Sequence, residues 1–192
     1  MRTLPDSAAR RAARAWSGGV EAYRYFLGRD SFLMPIAQAD RASLHLEARY
    51  QYEALRTASA WVGWNHEIDA HPRFEIVPMA GVLFGRSGGA ALGFEATLSL
   101  THFELYDEAE VVLLGGGGEE NFLYDWFTAG WHATRWLDLG LTVQRTRTHA
   151  SGLAVDRGVF VAATRRRITL SVYGLDLTGN APFAIVALGL EY

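Results

Sequence analysis

The C-terminal segment of this 192-residue chain alternates between apolar and other side chains and ends on an aromatic ring. In residues 182–192 (PFAIVALGLEY), every second residue is apolar, from Pro182 through Val186 and Leu190 to Tyr192. Residues two apart in a strand project from the same face, so this period predicts a β-strand with one continuous apolar face. Similar segments fill most of the preceding chain, which constrains the fold to β-sheet.

The alternation predicts ten strands between residue 43 and the C-terminus. They are expected at 43–53, 57–67, 74–85, 90–100, 103–112, 122–132, 137–147, 157–165, 168–176 and 182–192. A two-residue turn at Thr101–His102 would oppose Glu95 to Glu108, Thr97 to Tyr106 and Ser99 to Glu104, all on the polar face. Polarity stays in phase across this hairpin, whereas a slip by one residue would reverse it.

Composition excludes several classes of protein. The net charge of −3 and the pI near 6.1 argue against a nucleic-acid-binding protein, which normally carries a basic face. The chain has no Cys, so it has neither disulfides nor thiol chemistry. Its apolar runs fall well short of the roughly 18 residues of a membrane-spanning helix.

The alternating segments over residues 42–192 and the terminal Tyr192 resemble bacterial outer-membrane β-barrel proteins, whose last strand ends in Phe, Trp or Tyr. The resemblance implies an all-β fold, an antiparallel up-and-down transmembrane barrel of about ten strands, with eight or twelve as alternatives. Residues 1–41 are predicted to be a separate N-terminal segment with a short helix at 6–16, since Ala-rich sequence follows the capping residues Asp6 and Ser7. Residues 1–19 show no apolar core segment of an export signal.

The apolar face is predicted to lie outside, against lipid, because the other face mixes charged and small residues that suit a narrow lumen. A soluble barrel with the opposite polarity is the alternative. Aromatic residues at the ends of the apolar rows are expected at the membrane interfaces: Tyr50, Tyr52, Trp64, Trp131 and Tyr192. A polar cluster is expected inside: His45, Glu47, Arg49, Glu95, Glu104, Tyr106, Glu108 and Glu110.

Within this inward cluster, the acidic set Glu95, Glu104, Glu108 and Glu110 could be a general acid–base pair, a cation site or a selectivity patch. A structural network, in which Arg49, Arg157 and other donors neutralise the acids, is the favoured interpretation. A three-residue turn at 54–56 would pair Arg49 with Trp61, a cation–π geometry, and His45 with Asn65. His45 is the best candidate for a general base.

No established catalytic or metal-binding motif accompanies these residues. The G-x-S-x-G nucleophile motif is absent, and HEIDAH at 66–71 has no Cys to complete a zinc site. The predicted function is therefore a non-enzymatic outer-membrane barrel, either structural or a narrow pore with an acid-rich lumen. The alternatives are a barrel enzyme acting on lipid or peptide and a soluble barrel binding an apolar ligand. The expected partners are the lipid bilayer and, through the C-terminal strand, the outer-membrane assembly machinery; no cofactor, metal or nucleic acid is expected.

Overall fold

The computed structural model describes residues 15–68, 71–116, 121–148 and 152–192. Within these ranges the chain forms antiparallel β-strands joined by turns and loops. The thirteen strands are β1 Ser17–Leu27, β2 Asp30–Arg41, β3 Leu44–Tyr50, β4 Thr57–Trp64, β5 His66–Ile68, β6 Arg73–Gly85, β7 Gly89–Ser99, β8 Phe103–Leu114, β9 Phe122–His132, β10 Leu137–Thr148, β11 Gly152–Arg165, β12 Ile168–Leu175 and β13 Phe183–Glu191.

Twelve of these strands close into a barrel. Each pairs with its neighbour in sequence, β1 pairs with β13, and β4 pairs with β6 to complete the ring. The short strand β5 lies outside the ring of twelve and pairs with β6 through His66, Glu67 and Ile68. Closure gives every strand of the ring a partner on both sides, which removes the exposed sheet edge.

The predicted count of ten strands is wrong, because residues set aside as an N-terminal segment supply two more. Ser17–Leu27 and Asp30–Arg41 are β1 and β2, so the barrel begins at Ser17 rather than near residue 42. Of the helix predicted at 6–16, residues 6–14 lie outside the described ranges, and Ala15 and Trp16 are not helical. Among the described residues, no helix has the length and apolar character needed to span a bilayer.

The predicted register is confirmed in one hairpin and wrong in another. In β7–β8, Glu95 lies opposite Glu108, Thr97 opposite Tyr106 and Ser99 opposite Glu104, as expected. In β3–β4, Arg49 pairs with Ser59, and Glu47 pairs with Trp61. The loop is longer than the predicted 54–56, because Gln51 and Arg56 adopt positive φ angles. The shift equals two residues, so every side chain keeps its predicted face.

Much of the outer wall is apolar, and a cluster of charged side chains is buried in the lumen. Some charged residues face outward, among them Asp125 and Arg145, which are 3.3 Å apart. Leu44, Leu46 and Leu190 are exposed on the outside, whereas His45 and Glu47 are buried inside. The exposed row continues around the barrel through Val62, Val82, Leu92, Val111, Leu123, Leu141, Val159, Leu170 and Leu188.

The lumen has two chemically different halves. We call the end with the links 42–43, 100–102 and 166–167 the turn end, and the end with the links 51–56 and 176–182 the loop end. Two apolar clusters lie in the half nearer the loop end. One is Tyr25, Met34, Trp126, Leu175 and Ile185; the other is Trp61, Met79, Leu83, Ala91 and Val112. Polar side chains line the half nearer the turn end.

Candidate functional site

A single buried guanidinium, that of Arg49, connects distant parts of the lumen wall. Its side chain is 1 % exposed, and its Nε donates a short hydrogen bond to Glu47, two residues back on β3. Its Nη1 reaches past β4, β6 and β7 to donate to Glu108 Oε1 at 2.7 Å and to Glu110 Oε2 at 3.2 Å. Its Nη2 lies 3.8 Å from Glu95 Oε1. Four carboxylates therefore surround one cation.

Two aromatic rings hold the same guanidinium in place. Its central carbon lies 4.4 Å from the centroid of the Tyr52 ring and 4.8 Å from that of Trp61, distances at which a cation is attracted to a π face. The cation–π contact with Trp61 was predicted, although through a different register. These rings fix the position of Arg49, and they connect the ion-pair network to both apolar clusters.

The Trp61 ring is itself fixed by polar contacts. The Trp61 Nε1–H lies 3.2 Å from Glu53 Oε1 and 3.0 Å from Ser59 Oγ, and the Ser59 hydroxyl donates to the same Glu53 oxygen at 2.5 Å. All three residues are buried. Hydrogen bonds therefore hold the buried polar groups next to β4 in place.

A histidine extends the network towards the turn end. His45 Nδ1 lies 2.9 Å from Asp40 Oδ1, its cross-strand neighbour on β2, and its Nε2 lies 3.4 Å from Glu47 Oε2. Asn65 Nδ2 donates to the same Asp40 oxygen at 2.7 Å. His45 is 3 % exposed, so the ring is held between two carboxylates with almost no contact with solvent.

The network borders a cavity of about 420 Å³ inside the barrel. Six carboxylates line it, and its lining among the described residues includes no Arg: Glu21, Glu47, Glu95, Glu104, Glu108 and Asp138. Tyrosines line the same space, and one of them, Tyr106, donates to Glu108 Oε2 at 3.4 Å. The cavity can thus accept hydrogen bonds and attract positive charge.

Most of the predicted lumen residues meet around Arg49, but Glu104 does not. His45, Glu47, Glu95, Tyr106, Glu108 and Glu110 are all joined to Arg49 or to one of its partners. Glu104 lines the cavity near the turn end, opposite Ser99 and Gly130. Arg157, expected to help neutralise the acids, is exposed on β11, where the alternate positions Phe160 and Ala162 line the cavity.

Four of the five predicted interface aromatics are exposed near strand ends, and the fifth is not. Tyr50, Trp64, Trp131 and Tyr192 are exposed. Tyr52 instead lies in the lumen, in contact with Arg49 and edge-on to Tyr124 at 5.5 Å between ring centroids. The prediction for Tyr52 is wrong because β3 ends at Tyr50 and the positive φ of Gln51 breaks the alternation.

Sequence reasoning missed Asp40 as a partner of His45. It placed Asn65 opposite His45, whereas the residue opposite His45 is Gly63 and Asn65 donates to Asp40. Asp40 was missed because β2 was not predicted as a strand, so no cross-strand neighbour could be assigned to it. A tight turn at 42–43 would have placed Asp40 opposite His45, so this spacing was the signal that could have identified the pair.

Comparison with known proteins identifies a fold. No protein-family model matches the sequence, and no curated protein matches it. Among solved structures, KdgM porin superposes with a TM-score of 0.68 at 7 % identity, covering 91 % of this chain and 99 % of that one. KdgM porin in complex with disordered oligogalacturonate gives a TM-score of 0.66 at 7 % identity, with the same coverage.

A larger barrel also matches. Pseudomonas aeruginosa OccK3 (OpdO) superposes with a TM-score of 0.50 at 10 % identity, covering 92 % of this chain and 64 % of that one. The predicted resemblance to outer-membrane β-barrel proteins is therefore confirmed at the level of the fold.

Proposed function

We propose that this protein is an outer-membrane channel with a narrow, acid-lined lumen that favours small cations and neutral solutes over anions. The observation that carries the proposal is the cavity lined by six carboxylates, three of which share the single guanidinium of Arg49. In a lumen with low-dielectric walls, fixed charges of one sign raise the local concentration of ions of the opposite sign. The apolar outer wall and the porin fold support placement in the bacterial outer membrane.

The Arg49 network is the proposed constriction. It joins β3 to β7 and β8 across the lumen, and the two apolar clusters pack against its rings. A side-chain layer at this level leaves room for small solutes only. Permeation through it would be slow, because two apolar clusters narrow the lumen on the loop-end side.

The acidic lining argues against a polyanionic solute. The KdgM porin structure that contains oligogalacturonate holds a chain of carboxylate-bearing sugars. Six carboxylates around the cavity of this protein would repel such a chain. We therefore propose that the two barrels share a fold and differ in the charge of what they admit.

A channel accounts for the site better than an enzyme does. Both ring nitrogens of His45 lie close to carboxylates, Asp40 at 2.9 Å and Glu47 at 3.4 Å, and the residue is 3 % exposed, which leaves little room for a substrate beside the ring. A soluble barrel binding an apolar ligand would need an apolar interior and a polar wall, the reverse of the observed polarity. Contact of the C-terminal strand with the assembly machinery remains a proposal, which rests on the terminal aromatic Tyr192.

Planar-bilayer recording tests the proposal. The refolded protein should conduct, and its reversal potential under a KCl gradient should indicate preference for K⁺. Glu95→Gln should reduce that preference, because it removes one negative charge from the cavity lining. Asp30→Asn removes the same charge at the exposed β1–β2 link and serves as the control, with little expected change. Absence of conductance, or preference for Cl⁻, would contradict the proposal.

A further inference from the structure

We infer that His45, Glu47 and Glu95 form a binding site for one divalent transition-metal ion such as Zn²⁺ on the lumen wall. The three residues come from β3 and β7, and one ligand atom of each lies within 4.8 Å of the other two. An imidazole nitrogen and two carboxylate oxygens are ligands that Zn²⁺ and related ions accept. The inference does not depend on whether the lumen conducts.

The spacing of the first two ligand atoms fits a metal better than a shared proton. A charged N–H···O bond is typically about 2.7–2.9 Å long. His45 Nε2 and Glu47 Oε2 are 3.4 Å apart. Tetrahedral coordination with bonds of about 2.05 Å would place two ligand atoms roughly 3.3 Å apart. Movement of the Glu95 side chain towards the other two ligands, from separations of up to 4.8 Å, would complete the set.

The environment of the second ring nitrogen supports the same assignment. When Nδ1–H of His45 donates to Asp40, Nε2 is the ring nitrogen left to coordinate an ion, and it lies 3.4 Å from a carboxylate oxygen that could share that ion. Metal-bound histidines commonly donate their other ring N–H to a carboxylate that is itself hydrogen-bonded. Asp40 fills that role, and Asn65 holds it with a 2.7 Å hydrogen bond.

The buried network also holds more carboxylates than guanidiniums. Glu47, Glu95, Glu108 and Glu110 share Arg49 as their guanidinium. Glu110 is 3 % exposed, and its Oε1 has no hydrogen-bond partner among the described residues. A divalent ion beside Glu47 and Glu95 would offset the excess negative charge of the buried group.

A route to the site exists from the turn end. A cavity of about 460 Å³ near that end is lined by His45 and Glu95 together with Asp40 and Asn65. A hydrated ion could therefore reach the ligands without crossing the apolar clusters.

The chain supplies a matched control in a second histidine–aspartate pair. His132 Nδ1 lies 2.7 Å from Asp138 Oδ1, again across neighbouring strands. Among the described residues, His45 has two carboxylates close enough to share an ion with it, and His132 does not belong to such a group. Loss of His132 should therefore leave metal binding intact.

The test is calorimetric titration of Zn²⁺ into chelator-treated, untagged barrel in detergent. We expect one saturable site per chain, at least about 100-fold weaker in His45→Ala and unchanged within about twofold in His132→Ala. Asp40→Asn should weaken binding by about 10–100-fold, the usual effect of removing a carboxylate behind a metal-bound histidine. Folding of each variant is checked by gel mobility before heating.

Three results would overturn the inference. They are the absence of saturable Zn²⁺ binding by the unaltered protein, equal affinity in His45→Ala, and loss of binding in His132→Ala. If His45→Ala does not fold, Glu95→Gln replaces it, because Glu95 contacts Arg49 only at 3.8 Å and its amide keeps the side-chain shape. Unaltered affinity in that variant would equally contradict the site.

Discussion

Two arginines hold groups of glutamates in this barrel, and they differ mainly in their contact with water. Arg49 is 1 % exposed and faces Glu108 at 2.7 Å, together with three other glutamates. Arg73, at the start of β6, is 50 % exposed and faces Glu67 at 2.7 Å and Glu75 through a short contact. Each site contains one ion pair with the same separation of 2.7 Å.

Although these distances are equal, the difference in burial determines how much each group of ion pairs stabilises the protein. Water competes for the exposed charges of Arg73 and screens their attraction, so that such pairs contribute little. Around Arg49 the carboxylates have few other partners, so that removing the cation leaves buried charges uncompensated. We therefore expect the ion pairs of Arg49 inside the lumen to contribute strongly to the stability of the barrel, and those of Arg73 at the turn end to contribute little.

The largest expected effect follows loss of Arg49. Arg49→Met keeps the aliphatic length and removes the charge, so it should lower the free energy of unfolding by about 3–5 kcal/mol or prevent folding. Urea unfolding of the barrel in phospholipid vesicles, followed by Trp fluorescence, measures this. An unfolding midpoint equal to that of the unaltered protein would remove the distinction between the two arginines.

A smaller effect is expected from crowding the ring beneath Arg49. A Cβ at Gly81 would lie 2.5 Å from the Trp61 ring, so Gly81→Ala must displace that ring from the guanidinium. We expect a loss of about 1–3 kcal/mol, typical of overpacking. At Gly88 a Cβ would meet only Leu83 O at 3.8 Å, so Gly88→Ala is the matched control. Equal urea midpoints for the two variants would show that the Trp61 ring tolerates displacement.

The smallest effect should come from the exposed arginine. Arg73→Met should change the free energy of unfolding by less than about 1 kcal/mol, and the change should shrink further in high salt. The same urea experiment at low and high NaCl measures it. A loss as large as that of Arg49→Met would mean that burial does not separate the two sites.

The sequence predicted the strands whose two faces differ in polarity. In β3 the charged His45, Glu47 and Arg49 alternate with apolar residues, and both the strand and its sidedness are confirmed. In β2 the inward Met34 and Ile36 are as apolar as the outward Leu33, so alternation gave no signal and the strand was missed. The apolar half of the lumen went unpredicted for the same reason.

Which residues belong to the candidate site was predicted more accurately than how they are arranged. The inward glutamates followed from the period of two, and the β7–β8 register followed from a tight turn. The position of Tyr52 and the β3–β4 register depended on backbone angles at Gln51 and Arg56, both in the left-handed region. Such angles are uncommon for residues other than Gly, so residue identity gives little warning of them.

The central claim is that lipid contacts the apolar wall while water reaches the acidic lumen. The chain has no Cys, so single cysteines can be introduced without background. In vesicles, Thr128→Cys and Thr164→Cys, which line the 420 Å³ cavity, should react with a water-soluble maleimide. Fluorophores at Leu92→Cys and Leu141→Cys, exposed on the outer wall, should be quenched by brominated lipid instead. Maleimide reaction at Leu92 and Leu141, with lipid quenching at Thr128 and Thr164, would contradict the account.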